Sequence, residues 1–281
     1  MKLTITIIIL LSLFSCVEDN ENTFKEEYIL EAFMIVGDPI TNIRFMKTIP
    51  ILDSFSLERA LIKDAEIYIY DENGDTIKLE YNLESKLGYD AVNKSYLVKE
   101  MTKYDIRVIY KEDTIKSFTT TPKSFNWVEK APDTLQYPID LNNVEDQVKV
   151  KWENPGSFNF YHIVTRCIDT LEYGKYLNPQ TEELNSRILL WRDEDFFFRN
   201  TTNHGLSPTN EGSIIWTTFK WYGMQEVTIY NPDYNWFRWL GQYFQSEYND
   251  ILSSVEGKNV RGVFASATAI RDTSFLKKYK K

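Results

Sequence analysis

The chain has little of what most reactive sites are built from. Its 281 residues include two cysteines and two histidines. Cys16 and Cys167 allow at most one disulfide. His162 and His204 leave a Cys–His nucleophile or a zinc site little to work with. No Gly-x-Ser-x-Gly, His-Glu-x-x-His or phosphate-loop motif occurs. Basic residues are outnumbered, 32 Lys and Arg against 41 Asp and Glu, for a net charge of −9. That balance argues against nucleic acid, which needs clustered cations to displace counterions, and against broad adhesion to anionic lipid. One basic run stands apart, Lys277-Lys278-Tyr279-Lys280-Lys281. It reads as a solubilising tail, with contact to anionic headgroups or a receptor as the alternative. Asp193-Glu194-Asp195 clusters acids but lacks the Asp-x-Asp-x-Asp-Gly spacing of a calcium loop, so it reads as a solvated turn. With so many acids, a glycosidase-type carboxylate pair can be neither found nor excluded from sequence. The expectation is a protein that is not an enzyme, with no catalytic residues, no cofactor and no metal.

Long apolar runs are missing too, except at the start. Lys2 precedes Leu3 to Phe14, an almost unbroken apolar run that ends in Ser15-Cys16. It is too short and wrongly flanked for a membrane span. Leu13-Phe14-Ser15-Cys16 resembles a bacterial lipoprotein box, with Phe14 the loosest match. The resemblance implies cleavage of residues 1–15 and lipid on Cys16. The signal carries one charge, Lys2, so −9 becomes −10 in the mature chain. With Cys16 consumed by lipid, Cys167 has no partner. It shares a strand face with Tyr161 and Ile163 and reads as a buried thiol. Residues 16–25 are a tether. Val17-Glu18-Asp19-Asn20-Glu21-Asn22 is too polar to fold. Acids at this place resemble the Bacteroidota signal that exports lipoproteins to the outer face of the outer membrane. The alternative is the periplasmic leaflet.

The mature length suffices for two cores. Residues 26–122 read as an immunoglobulin-like β-sandwich. Tyr28 to Val36 is a strand-length apolar run, and Ile43 to Ile49 alternates in part. Ala65 to Tyr70 and Thr76 to Tyr81 flank an Asn73-Gly74 turn, the strongest hairpin in the chain. Tyr104 to Tyr110 turns at Lys111-Glu112-Asp113 into Thr114 to Thr119. Pro122 marks the exit, because a residue before proline avoids the helical region.

Residues 123–281 read as a second β domain. Val148-x-Val150-x-Trp152-x-x-Pro155 followed by Tyr161-x-Ile163 resembles fibronectin type III domains, with Trp152 in the core. Residues 168–212 are irregular and too long for one loop, so they read as an insertion, a common place for binding. A helix is expected over 232–249, capped by Asn231, with Pro232 in its first turn and Asp233 at its positive end. Trp236, Leu240, Tyr243 and Phe244 form its apolar stripe. Val260 to Thr268 is the last strand.

In order, these pieces resemble a Bacteroidota lipoprotein family labelled domain of unknown function 4249. The resemblance covers nearly the whole mature chain. Its most specific block is Asn259 with Gly262-Val263-Phe264, where Ala265 replaces the family's last glycine. Members are often encoded beside TonB-dependent receptors. The resemblance therefore implies an accessory or ligand-capturing subunit of such a transporter, and it implies no catalytic residues. The alternative is a stand-alone surface module binding glycan or protein. Aromatics concentrate between Trp216 and Tyr243. Trp221, Tyr222, Arg238 and Trp239 lie off the helix stripe and are the candidate binding surface, since Trp and Tyr make good interface anchors.

Overall fold

A computed structural model describes residues 24–50, 52–139, 148–156, 160–168, 172–188, 200–243 and 253–279, with the backbone alone at 218, 242 and 243. The predicted signal, Cys16, most of the tether, Asp193-Glu194-Asp195, Phe244 and the last two lysines lie outside the described residues. The chain is mainly β, with 49% strand and 8% helix.

Three sheets carry the architecture. The largest contains β1 (Tyr28–Ile35), β2 (Arg44–Lys47), β9 (Thr134–Gln136), β11 (Tyr161–Cys167), β12 (Thr201–Ser207), β14 (Gly223–Pro232) and β15 (Val260–Lys277). Its order is β12-β11-β14-β15-β1-β2, with β9 also on β15. A five-stranded sheet runs β5 (Tyr89–Ala91), β4 (Thr76–Tyr81), β3 (Glu66–Asp71), β6 (Lys103–Tyr110) and β7 (Asp113–Thr120). A three-stranded one runs β13 (Glu211–Ile214), β10 (Val148–Trp152) and β8 (Trp127–Glu129). Two helices are described, α1 (Leu57–Ala60) and α2 (Tyr234–Tyr243).

Both expected hairpins form, β3–β4 and β6–β7. The first has support beyond its Asn-Gly turn. Asp71 Oδ1 accepts the N–H groups of Asn73 and Asp75 at 3.0 and 2.8 Å. Its Oδ2 accepts from Lys99 Nζ at 2.8 Å and Tyr96 Oη at 2.9 Å. Burial alone would raise the Asp71 pKa, but these hydrogen bonds, Lys99 foremost, hold it well below the usual carboxylate range.

Two apolar clusters fill the interior. One joins Leu30, Ala32 and Met34 of β1 to Ile67, Ile69, Ile106 and Val108, and includes Phe264. The other joins Trp152, Tyr161, Ile163, Ile214, Val227 and Ile229, and includes Leu276. Trp152 is fully buried, edge-on to Tyr161 at 5.0 Å, in the core role expected of it. β15 thus contributes to both clusters, with Phe264 in the first and both Phe275 and Leu276 in the second.

Strand β15 is longer than the expected Val260–Thr268 and runs to Lys277. Arg271, Asp272 and Thr273 break the apolar pattern, but Phe275 and Leu276 restore it. Its first half pairs in parallel with β1, from Tyr28↔Val260 to Ile35↔Ala267. Its second half pairs antiparallel with β14, from Gly223↔Leu276 to Pro232↔Ala267. The large sheet is thus assembled from both sides of residue 122.

The expected helix exists, but its cap moves. Asn231 and Pro232 are still paired in the sheet, opposite Thr268 and Ala267. Asp233 is therefore the first residue free to turn, and its Oδ1 accepts the Trp236 N–H at 2.8 Å. The far end of the expected helix, beyond Tyr243, lies outside the described residues. The expected insertion also changes character. Within 168–212, β12 joins the edge of the large sheet and β13 the three-stranded sheet. Its Gly and Asn content, which suggests loop, serves a bulge at Ile163/Val164 where Gly205 takes φ +99°.

Gly262 sits where β1 and β15 touch. Its φ is +140°, and an added Cβ would overlap the Leu30 carbonyl oxygen and lie 2.8 Å from Leu30 N. Gly241, in α2, has open space around it. Gly262→Ala is expected to lower stability by more than about 3 kcal/mol, roughly 6–12 °C in melting temperature. Gly241→Ala should raise stability by about 0.5–1 kcal/mol. Thermal melts of both variants check the pair.

Candidate binding surfaces

The four candidate residues do not form one surface. Tyr222 is 7% exposed and belongs to the second core, its ring edge-on to Tyr137 at 5.5 Å. The expectation of an exposed Tyr222 is therefore corrected. The chain turns inward after Trp221 to start β14, and Tyr222 follows it. Trp221 is half-buried beneath the Arg187 guanidinium, 5.1 Å from its ring centroid. Arg238 and Trp239 are half-buried on α2, with Arg238 5.5 Å from the Tyr234 ring. Trp221 precedes the start of β14 and α2 follows its end. Ten strand residues separate them, about 30 Å of sheet.

Of the expected helix stripe, Trp236 is packed and Leu240 is half-buried. Trp236 meets Phe33 at 5.0 Å and Tyr230 at 5.4 Å, so α2 lies across the outer face of the large sheet. Its start closes a gap. Between Val260 and Ser266, β15 has no β14 beside it. Its edge is served by Asn235 Nδ2, which donates to Phe264 O at 2.9 Å, and by the Asp233 N–H, which donates to Ser266 O at 2.8 Å. Ser254 supplies its N–H to Gly262 O and its hydroxyl to the Phe264 N–H.

Asp233 is itself buried. Thr119 Oγ1 of β7 donates to its Oδ2, and Ser266 Oγ lies 2.7 Å from the same hydroxyl. Burial pushes its pKa up to about 6, against the pull of the Thr119 bond and neighbouring N–H groups. Two histidines oppose this trend. His204 Nδ1 accepts the Ile215 N–H at 3.2 Å, which leaves Nε2 to carry the proton and donate to Thr165 Oγ1 at 2.8 Å. Burial, then the nearby His162, lowers its pKa to about 4. His162 is lowered too, by burial. Cys167 is a buried thiol, as expected, and its Sγ donates to Tyr222 O at 3.3 Å.

The outward face of the five-stranded sheet is a surface that the sequence reading missed. Register places Tyr70, Asp105 and Phe118 in one row and Lys78, Tyr68, Arg107 and Lys116 in the next. The rings of Tyr68 and Tyr70 stack at 6.4 Å, and the Arg107 guanidinium lies 5.5 Å from Tyr70. Phe118 is 58% exposed, with Lys103 Nζ 5.1 Å from its ring. Lys78 and Lys103 are ion-paired to Glu80 and Asp105. Arg107 and Lys116 stand directly opposite one another, and neither is ion-paired among the described residues. Lys116 in turn stands opposite Glu256, so an acidic cross-strand neighbour already flanks this pair of cations. Alternation in the strands could have exposed this row: the even residues Tyr68 and Tyr70 share a face with Lys78 and Arg107.

The described part of the predicted insertion forms a third feature. Glu172, Lys175, Gln180, Thr181, Glu182, Glu183 and Leu184 line an open cleft of about 440 Å³. None is aromatic, so it offers no stacking wall. Lys278 pins this loop: its Nζ pairs with Glu183 and lies 4.4 Å from the Tyr173 ring, and its N–H donates to Tyr173 Oη. At least this lysine of the basic run is engaged by the fold. Among the described residues, no group of three or more His, Cys, Asp or Glu is placed to hold a metal ion, and no helix is long and apolar enough to cross a membrane.

A family profile, described as a domain of unknown function, DUF4249, matches residues 15–272. The chain belongs to that family. The matched span takes in all of β1–β14, α1, α2 and most of β15. No curated protein matches the chain.

The opposing pKa shifts predict a separable pH dependence. Asp233 holds its proton more tightly folded than unfolded, so its contribution falls as pH rises from about 4 to 6, by on the order of 3 kcal/mol. His204 does the reverse, and its contribution is lost as pH falls from about 6.5 to 4. Asn also caps helices, so Asp233→Asn should keep α2 and remove only the first trend. Denaturant unfolding of both proteins from pH 4 to 7 checks this. The stability difference, variant minus wild type, is expected to grow with pH up to about 6 and then level off.

Proposed function

We propose that the mature chain is an outer-membrane lipoprotein, anchored through Cys16 and facing the cell exterior, that serves a TonB-dependent transporter as an accessory or ligand-capturing subunit. The lipoprotein box, the acidic tether and the gene neighbourhood common in the resembling Bacteroidota family support the address and the partner. The observation that carries a binding role is the outward face of the five-stranded sheet. There two stacked tyrosines lie beside Arg107 and Lys116, neither of them ion-paired among the described residues, with Glu256 opposite Lys116. Aromatic faces stack on sugar rings, and Arg suits carboxylates. The ligand class this face fits best is an acidic glycan.

In its finer form, the proposal divides the fold into an immunoglobulin-like sandwich over 26–122 and a fibronectin type III-like one over 123–281. The presence of two apolar clusters supports two cores, although Val255 and Phe264 from beyond residue 122 join the first. The same face also favours the second reading, a stand-alone glycan- or protein-binding module, because it needs no receptor to work.

A mild-detergent pull-down from native outer membranes separates the two. A TonB-dependent receptor recovered in stoichiometric amount is the expected result, and recovery of the lipoprotein alone would favour the stand-alone module. Binding to uronic-acid polysaccharides should weaken about tenfold in Tyr68→Ala and in Arg107→Ala, the loss of one good anchor. Trp221→Ala, at a half-buried site away from this face, should leave it unchanged.

A further inference from the structure

The most exposed large apolar side chain described is Leu52, at 96%. Phe55, three residues on, is 75% exposed, and Phe24 is 47% exposed. Single exposed apolar residues are ordinary. These are distinguished by how they are held and where.

The loop that carries Leu52 and Phe55 is braced outward. The Asp53 N–H donates to Pro50 O at 2.9 Å. Arg59 Nη2 reaches Asp53 Oδ2 at 2.9 Å, and its Nη1 donates to Ser54 O at 3.2 Å. Arg59 sits on α1, which docks through Ala60 and Leu61 against Met46. The loop therefore has a fixed base.

Its place follows from the pairing of β1 with β2. Tyr28 stands opposite Lys47, so the chain before β1 and the chain after β2 leave the sheet at the same end. The Thr48 N–H donates to Glu27 O at 2.9 Å, and the Glu27 N–H donates to Thr48 Oγ1 at 2.9 Å. Phe24, Leu52 and Phe55 thus belong to the end of the molecule where the tether joins. Cys16 lies eight residues before Phe24, a reach of at most about 29 Å. A lipid on Cys16 would keep this end at the membrane. Charges nearby are largely matched: Lys47 with Glu26, Lys63 with Glu58, Arg261 with Glu27 and Arg59 with Asp53. Apolar tips flanked by these ion pairs, with Lys111 over the Tyr28 ring at the same end, suit a bilayer surface.

We propose that Leu52 and Phe55, with Phe24, dip into the leaflet that holds the Cys16 lipid. This second contact fixes the orientation of the protein on the membrane. The proposal rests on the lipoprotein reading above.

The test uses the mature, lipidated full chain. Cys167 is buried, and lipid occupies the Cys16 thiol, so Leu52→Cys gives one reactive thiol for an environment-sensitive fluorophore. Val128→Cys is the control. Val128 is 65% exposed on β8, and its neighbour Trp127 donates from Nε1 to Arg271 O, about 35 Å along β15 from the Tyr28 end. In zwitterionic phosphatidylcholine vesicles, the label at 52 is expected to shift to the blue. A quencher on the acyl chains should reduce its emission several-fold more than at 128. The same label at Phe24→Cys should lose its shift when Leu52→Asp and Phe55→Asp are added. Equal behaviour at 52 and 128 in protein with its lipid verified by mass would overturn the proposal. A shift that needs outer-membrane proteins and is absent in pure vesicles would also overturn it, naming a protein partner instead. An unmodified Cys16 in the mass spectrum would overturn the anchoring reading, and this proposal with it.

Discussion

The parallel pairing of β1 with β15 is the interaction on which the rest depends. Residues near the start of the fold meet residues near its end over eight matched positions, Tyr28↔Val260 to Ile35↔Ala267. Parallel neighbours cannot be joined by a tight turn, and here nearly the whole described chain forms the connection. Loop-closure entropy must therefore be overcome before this pairing contributes. What it gains is continuity. From Ala267 onward, β15 exchanges β1 for β14, and its side chains pass from the first apolar cluster to the second. The backbone contact at Gly262 is the tightest point of that seam.

The same exchange creates a problem, and the chain solves it with polar side chains. Where β14 ends, the edge of β15 would be left with unsatisfied backbone groups in a buried place. Asp233, Asn235 and Ser254 satisfy them, and Asp233 also caps α2. The cost is a carboxyl buried against Thr119 with its pKa raised to about 6. Because Thr119 belongs to the five-stranded sheet, this cluster ties that sheet, α2 and β15 together.

Much of the fold was legible in the sequence where the physics is local. Asn73-Gly74 between alternating strands specified the first hairpin, and Val148-x-Val150-x-Trp152 placed Trp152 inside. The stripe through Trp236 and Leu240 identified α2. Non-local effects were not legible. Nothing in Asn231-Pro232 says that β15 still pairs with them, so the helix cap was read two residues early. The Gly- and Asn-rich stretch of β12 reads as loop because an edge strand tolerates the residues that loops favour. Aromatic density around Trp216–Tyr243 pointed to a binding surface, but density cannot tell core from surface, and Tyr222 is core. The tyrosine–arginine face went unread because Tyr is also a common strand former. Its meaning depends on register across β3, β6 and β7, which one strand alone does not reveal.

Hydrogen exchange with mass spectrometry, on the full chain in native buffer, tests most directly the claim that β15 makes one unit of both cores. The account predicts that the central amides of β1, of both halves of β15 and of β14 exchange through a common opening of similar free energy. If residues 28–35 and 260–267 instead open together well before β14 and residues 268–276, the seam is a loose contact between independent units and the account is contradicted.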